Sequence, residues 1–243
     1  MGHIDPPIFA GMAKNRRRKS LLSFSWDFSW DKGVQSHCYM VKVKVCGITS
    51  LEDARVAADA GADAIGLVFA ESPRKISVER AREIASNLPD SILKVGVFVD
   101  AGPDEVLRVA REVDLDYAQL HGDESPEAVA EIRGGGVGVM KALRVRDAEA
   151  LADVERYEAD LFLLDGWSAK AHGGTGARFD WELAKSFKGH DNIVVSGGLS
   201  PENVWEAIEF FEPYGVDASS SLEDRPGKKN GERVRRFVGA AKG

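Results

Sequence analysis

The chain has 243 residues, enough for one large domain or two small ones, and 44% of them are hydrophobic, as is usual for a globular protein. No apolar run is long enough to span a membrane, so no membrane partner is expected. The net charge is −7, and the +3 carried by residues 1–39 leaves −10 for residues 40–243. A domain this acidic lacks the broad basic surface that nucleic-acid binding needs, so we expect no nucleic acid as a partner.

Residues 1–39 differ in character from the rest of the chain. They combine a basic cluster at 14–19 with a Ser, Phe and Trp stretch at 23–30, and they show no sustained periodicity. Met40 stands directly before the first clear strand. We therefore interpret residues 1–39 as an N-terminal extension that is disordered, or that derives from an expression vector or a misassigned upstream start site. Residues 40–243 are interpreted as the catalytic domain. A transit peptide is disfavoured by Asp27 and Asp31. A nucleic-acid-binding arm is the remaining alternative.

Eight apolar runs of strand length follow Met40. They are rich in Val, Ile and Leu without strict alternation, which is typical of parallel strands covered by helices. They cover residues 41–45, 64–69, 94–99, 117–120, 137–143, 161–164, 193–196 and 216–218.

Helical segments separate these strands and carry recognisable start signals. Caps are predicted at Ser50 and Ser77, and at Asp147 and Asp180 for the fifth and sixth helices. Prolines in first turns are predicted at Pro103, Pro126 and Pro201. A last helix is predicted at 232–241. Eight strand–helix units in about 200 residues favour an α/β fold that closes as a single (β/α)8 TIM barrel. An open doubly wound sheet is disfavoured because no Gly-x-Gly-x-x-Gly turn follows the first strand, which also argues against a dinucleotide cofactor.

Cys46 ends the first strand and is followed by Gly47, which permits a tight turn and close approach of a ligand. The commonest role of such a cysteine is that of a small buried hydrophobe. Alternation instead places Lys42, Lys44 and Cys46 on the barrel interior, with the thiol at the mouth where barrels of this type carry their chemistry. There it could act as a general base if its pKa falls from about 8.5 towards neutrality.

Asp165 ends the sixth strand and shares a face with Leu161 and Leu163. A cap for the following loop is the plainer interpretation. At the mouth, however, a protonated carboxyl can serve as a general acid opposite the thiol. One acid and one base need neither metal nor cofactor, and we expect none, since no His or Cys pair has zinc-like spacing.

Small-residue turns follow the last three strands, at 173–176, 196–198 and 219–221. The turns after strands seven and eight lie where such barrels bind phosphate through backbone N–H groups and a short helix N-terminus. The candidate contacts to a phosphorylated small molecule are Gly174, Gly197, Gly198, Ser219 and Ser220.

Four further polar positions are candidates for a specific role. Arg74, in the loop after the second strand, could hold a substrate carboxylate with two hydrogen bonds or be a solvated surface group. His121, at the end of the fourth strand, is either a second polar contact or a structural imidazole. Lys44 and Asp217 lie on neighbouring strands once the barrel closes, and we expect them to pair because an unpartnered interior charge is costly.

The motifs from Met40 onward occur in a familiar order. They include Val-Lys-Val-Cys-Gly-Ile-Thr, Ser-Pro-Arg-Lys-Ile-Ser, Gln-Leu-His-Gly, Gly-Gly-Thr-Gly, Ser-Gly-Gly-Leu-Ser-Pro-Glu-Asn-Val, Val-Asp-Ala-Ser-Ser and Pro-Gly-Lys-Lys. This chain of motifs resembles the phosphoribosylanthranilate isomerase family of tryptophan biosynthesis. The resemblance implies an enzyme that catalyses an Amadori rearrangement. The two cysteines form no disulfide framework, which fits a cytoplasmic protein. Barrels of this kind are monomers or homodimers.

The resemblance also implies roles for individual residues. Asp165 would protonate the furanose ring oxygen, and Cys46 would remove the proton from C2. Arg74 would hold the anthranilate carboxylate, and the turns at 196–198 and 219–220 would hold the phosphate.

Two features depart from the family pattern. The first is the extension at 1–39, and the second is Ser221, where the family usually has Gly; this serine is expected to tighten the phosphate turn and weaken binding. A non-catalytic phosphate-binding barrel is therefore one alternative. The other is the histidine-pathway aminoaldose–ketose isomerase, which uses two aspartates, so that Cys46 argues against it.

Overall fold

A computed structural model describes residues 41–146, 151, 154–166 and 179–243. The predicted extension at 1–39, the predicted cap Asp147 and the candidate phosphate contact Gly174 lie outside the described residues.

Eight parallel strands form a closed barrel, as predicted. Each strand is hydrogen-bonded to the next, and the first pairs with the eighth. The strands are β1 (Lys42–Val45), β2 (Ala64–Val68), β3 (Leu93–Phe98), β4 (Tyr117–Leu120), β5 (Gly138–Val145), β6 (Leu161–Gly166), β7 (Ile193–Val195) and β8 (Gly215–Ala218). The predicted ends differ from these bounds by at most two residues.

Helices cover the outside of the barrel. They are α1 (Leu51–Asp59), α2 (Val78–Ser86), α3 (Pro103–Val113), α4 (Pro126–Gly134), α5 (Val204–Phe211) and α6 (Gly231–Lys242). The Ser50 and Ser77 side chains accept hydrogen bonds from the backbone N–H three residues on, which confirms both predicted caps. Pro103 and Pro126 are the first residues of their helices, also as predicted.

One predicted cap leads into a different type of helix, and one predicted helix start is wrong. The Asp180 side chain accepts a hydrogen bond from the Glu182 N–H, as expected of a cap, but the segment that follows, Trp181–Phe187, is 3-10 and has non-helical backbone at Ala184. Pro201 lies in a turn before α5. The side chain of Asn203 accepts from the Ser200 N–H and donates to the Gly198 carbonyl, and these bonds hold the turn so that the helix begins only at Val204.

Two short elements follow β8 on the way to α6. A 3-10 turn at Ser220–Leu222 leads into a two-stranded antiparallel hairpin, β9 (Glu223–Arg225) and β10 (Lys228–Lys229). The sequence analysis did not identify this hairpin. Its strands are too short and too charged to stand out as apolar runs.

Strand parity separates two layers of packing. Val43 and Val45 point outward into the main hydrophobic core between strands and helices. Cys46 and Lys44 point inward, and Lys44 Nζ lies 2.9 Å from Asp217 Oδ1, which confirms the expected pair. Lys42 shares their parity but lies at the barrel floor, where its side chain is 49% exposed and pairs with Asp63.

Candidate active site

A cavity of about 750 Å³ opens at the carboxyl ends of the barrel strands. Every described residue that the sequence analysis singled out as a site candidate lines it. These residues are Cys46, Arg74, His121, Asp165, Gly197, Gly198, Ser219 and Ser220. The closed barrel brings them together because each lies at or just beyond the carboxyl end of its strand, whatever its distance along the chain.

Cys46 is a buried free thiol at the end of β1. Burial raises the pKa of this thiol, and the cationic Lys44 offsets that only in part, while the negative Asp217 adds to it. The direction is opposite to the fall towards neutrality that would favour a role as general base. A buried thiolate loses its hydration, and the neighbouring charges do not compensate for it.

The neighbour across from the thiol is a glycine for a steric reason. A Cβ built on Gly66 of β2 would lie 2.6 Å from Cys46 Sγ and 3.0 Å from its Cα. The absent side chain thus provides the space that the thiol occupies. Sequence reasoning did not identify Gly66, because nothing local distinguishes it from any other strand glycine.

We expect Gly66→Ala to destabilise the protein by roughly 1–3 kcal/mol, the usual range for overpacking a filled interior. The added methyl group meets the Cys46 backbone, which cannot move without disturbing β1. Urea unfolding of both proteins measures the difference. Gly239→Ala in α6 is the matched control, since a Cβ there meets nothing within 4 Å and an alanine should stabilise the helix slightly. Equal stability of Gly66→Ala and the parent would contradict the steric argument.

Asp165 is buried at the end of β6 and is held by two hydrogen bonds. Its Oδ1 accepts from the Gly166 N–H at 2.9 Å, and its Oδ2 lies 3.1 Å from His121 Nε2. The Gln119 amide nitrogen lies 2.8 Å from His121 Nδ1. With the Gln119 amide in this orientation its nitrogen donates, Nδ1 accepts, and Nε2 is the nitrogen that donates to Asp165. His121 is therefore a polar contact of the carboxyl group.

Gln119 was missed by the sequence analysis, although a signal for it exists. Residues 117, 119 and 121 share one face of β4, so a glutamine two positions before an inward histidine also points inward. It is almost fully buried, and its side-chain oxygen has no partner among the described residues.

The turn after β7 depends on two glycines with left-handed backbone. Gly197 has a φ of 79° and Gly198 a φ of 69°, a region that costs other residues conformational energy. A Cβ on Gly197 would also lie 2.5 Å from the Gly166 nitrogen and 3.2 Å from Asp165 Oδ1. This turn therefore packs directly against the carboxyl group.

Backbone donors of both turns have no acceptor among the described residues. Within the described part of the chain, no hydrogen bond uses the N–H groups of Gly197, Gly198 or Ser219. Ser220 begins the short 3-10 turn after β8, the position at which such barrels bind phosphate. The Ser221 hydroxyl donates to the Leu199 carbonyl and so links the two turns.

Arg74 is neither a solvated surface group nor isolated. Its Nε and Nη2 donate to the two carboxylate oxygens of Glu223 at 2.9 and 2.8 Å. Lys229 Nζ donates to the same Glu223 at 2.8 Å and to the Ser219 carbonyl at 3.1 Å. Sequence reasoning missed Glu223 and Lys229, because they belong to the unrecognised hairpin.

Among the described residues, no helix has the length and apolar character needed to cross a membrane.

Together, the fold and the site define a (β/α)8 barrel whose mouth carries a thiol, a carboxyl group and two turns whose backbone donors have no acceptor within the described ranges. A family model described as N-(5'-phosphoribosyl)anthranilate (PRA) isomerase matches residues 43–240. The chain belongs to this family.

Individual relatives agree with the family match. The chain is 69% identical over 205 residues to N-(5'-phosphoribosyl)anthranilate isomerase of Rubrobacter xylanophilus, covering 84% of this chain and 100% of that protein. The crystal structure of the Thermotoga maritima enzyme superposes with a TM-score of 0.77 at 41% identity, covering 84% and 99% of the two chains. A further structure, of the isomerase in complex with reduced 1-(o-carboxyphenylamino)-1-deoxyribulose 5-phosphate, has a TM-score of 0.74 at 40% identity, with coverage of 84% and 99%.

Proposed function

We propose that the chain isomerises N-(5-phosphoribosyl)anthranilate to 1-(2-carboxyphenylamino)-1-deoxyribulose 5-phosphate, with Asp165 as general acid and Cys46 as general base. Family membership makes the chain an isomerase of tryptophan biosynthesis. The observation that supports the two roles is that the thiol and the carboxyl group line one cavity, beside two turns whose N–H groups bond to no part of the chain that the structure describes.

The first step opens the furanose ring. Asp165 transfers its proton to the ring oxygen, the bond from that oxygen to C1 breaks, and the anilinic nitrogen donates its lone pair to form an iminium. The resulting Asp165 carboxylate accepts hydrogen bonds from His121 Nε2–H and the Gly166 N–H. Both donors stabilise the charge that this step creates.

The second step removes the proton from C2. The iminium withdraws electrons from this carbon, so that Cys46 in its thiolate form can take its proton, which leaves an enolamine and a neutral thiol. Protonation of C1 and loss of the enol proton then give the aminoketose. Lys44 lies next to Cys46 and offsets part of the cost of charging the thiol, although burial remains the larger effect on its pKa.

Substrate binding uses two groups of residues that line the cavity. Arg74 holds the anthranilate carboxylate, and the N–H groups of Gly197, Gly198, Ser219 and Ser220 hold the phosphate. Gly174 stays in the proposal as a further phosphate contact from the turn after β6.

Ser221→Gly is expected to weaken phosphate affinity by about 5-fold, corresponding to roughly 1 kcal/mol for one hydrogen bond. The bond to Leu199 holds the two turns together before the ligand arrives, so losing it adds an ordering cost. This reverses the expectation from sequence that the serine weakens binding. Calorimetric titration with the reduced product analogue measures the change. Ser221→Ala removes the hydroxyl without adding glycine flexibility, and it should show most of the same loss of affinity. Tighter binding in both variants would contradict the argument.

Turnover of isolated phosphoribosylanthranilate by the full-length protein, and by a version that begins at Met40, tests the proposed function. We propose that residues 40–243 suffice, so both proteins should turn over the substrate at similar rates. Complementation of a tryptophan auxotroph that lacks the isomerase provides the test in cells. Well-expressed, folded protein that supports neither turnover nor growth would instead indicate a non-catalytic phosphate-binding barrel.

We propose a cytoplasmic setting, which the absence of a disulfide framework in the sequence favours. For assembly the proposal is a monomer or a homodimer. One solved relative, the Thermotoga maritima isomerase, is described as dimeric. Light scattering on the purified protein distinguishes the two states.

A further inference from the structure

The carboxylate of Glu223 is the centre of a buried charge cluster, and one member of this cluster, Arg74, lines the cavity. Its side chain is 3% exposed and lies between the guanidinium of Arg74, 12% exposed, and the ammonium of Lys229, 0% exposed. Although burial opposes the effect, the hydrogen bond from Arg74 and the charge of Lys229 lower the pKa of Glu223, so that it stays ionised. Three charges have therefore been removed from water, which is costly unless their geometry is good.

The geometry of the Arg74 contact is specific. Glu223 receives the Nε and Nη2 donors, which form the side-on edge of the guanidinium. The end-on edge, formed by Nη1 and the second Nη2 hydrogen, has no partner among the described residues. A guanidinium is planar and its five donors are fixed relative to one another, so a carboxylate on one edge sets the direction of the other.

Packing fixes the remaining freedom of this arginine. A Cβ built on Gly47 would lie 2.5 Å from Arg74 Cδ and 2.9 Å from Ser219 Oγ, so the arginine stem lies directly over the turn that follows Cys46. Lys229 extends the cluster in the other direction, since it binds both Glu223 and the Ser219 carbonyl. Glu223 thus connects the arginine to the turn after β8.

We propose that Glu223 is a positioning residue for substrate recognition: it holds Arg74 by its side-on edge so that the end-on edge faces the cavity and binds the aromatic carboxylate of the ligand. This inference rests on the proposed role of Arg74. Glu223 itself touches no substrate atom and acts through the arginine. Without it, the long arginine side chain would have to be ordered each time a ligand binds, and that ordering would weaken binding.

The test compares two ligands across several proteins by calorimetry. One ligand is reduced 1-(o-carboxyphenylamino)-1-deoxyribulose 5-phosphate, and the other is its counterpart without the carboxylate. In the parent protein, loss of the carboxylate should weaken binding about 10-fold or more, as expected for hydrogen bonds to a charged group. In E223Q, removing the carboxylate from the ligand should weaken binding by less than about 3-fold, because Arg74 is no longer held in place.

Matched variants separate positioning from general damage. K229M leaves the neutral Arg74–Glu223 pair intact and should keep the full carboxylate dependence. R74A should lose that dependence, and adding E223Q to R74A should cause no further loss. E223M/K229M removes both buried charges together, so it tests the same point if E223Q alone does not fold.

One result would overturn the inference. It is a carboxylate dependence in E223Q, or in E223M/K229M, that equals that of the parent. Any loss of affinity would then be equal for both ligands, which indicates a structural role only. The proposed function is tested separately. Turnover by the parent protein tests the isomerase activity, and the ratio of the parent's affinities for the two ligands tests the role of Arg74.

Discussion

Replacing Asp165 with asparagine should lower turnover by on the order of 10² or more, the scale of a positioned general acid. Asparagine has nearly the same size, and its oxygen can still accept from the Gly166 N–H or from His121, so the site keeps its shape. What it lacks is a proton that can be transferred to the ring oxygen. Because ring opening then limits the rate, a substrate deuterated at C2 should react as fast as the unlabelled one.

The measurements for Asp165→Asn are kcat, the C2 isotope effect and affinity for the reduced product analogue. Affinity should change only a few-fold, since the variant loses chemistry rather than contacts. Asp90→Asn is the matched control: Asp90 is exposed and precedes β3 at the opposite end of the barrel, so its turnover should equal that of the parent. Near-normal turnover in Asp165→Asn would remove this residue from the role of acid.

Cys46→Ser should also lower turnover by on the order of 10² or more, but at the other step. A serine hydroxyl ionises far less readily than a thiol, so it is a poorer route to an anionic base. Proton removal from C2 then becomes rate-limiting, and the C2-deuterated substrate should react clearly more slowly than the unlabelled one. The two variants thus differ in isotope effect even where their rates are equally low.

Cys38→Ser is the control for Cys46→Ser, because it makes the same chemical change at the chain's other cysteine. It should leave turnover unchanged. A Cys46→Ser variant with normal turnover, or with slow turnover and no isotope effect, would contradict the assignment of Cys46 as the base that acts at C2.

Much of the fold followed from patterns that are local in the chain. Apolar runs separated by capped helical segments predicted eight strands, and all eight are present within two residues of the expected bounds. Helix starts with a single strong cap were also predicted well, as at Ser50 and Ser77. The prediction failed at Pro201, where the hydrogen bonds of Asn203 favour a turn over the first turn of a helix.

The site followed from sequence only in part. Strand parity and position after each strand indicated Cys46, Asp165 and the turns after β7 and β8, because barrel closure brings all strand ends to one mouth. The partners of these residues did not follow. Glu223 holds Arg74 from 149 residues away, and Gly66 makes space for the Cys46 thiol from a neighbouring strand.

The pKa of Cys46 shows the same division. Sequence places the thiol at the mouth, but its ionisation depends on how much water surrounds it and on the charges of Lys44, Asp217 and Lys229. Periodicity and caps act between residues close in sequence, so the chain alone determines which segments become strands and which ends carry the chemistry. Side-chain pairing, burial and electrostatics act across space, and only the closed barrel decides which distant residues meet.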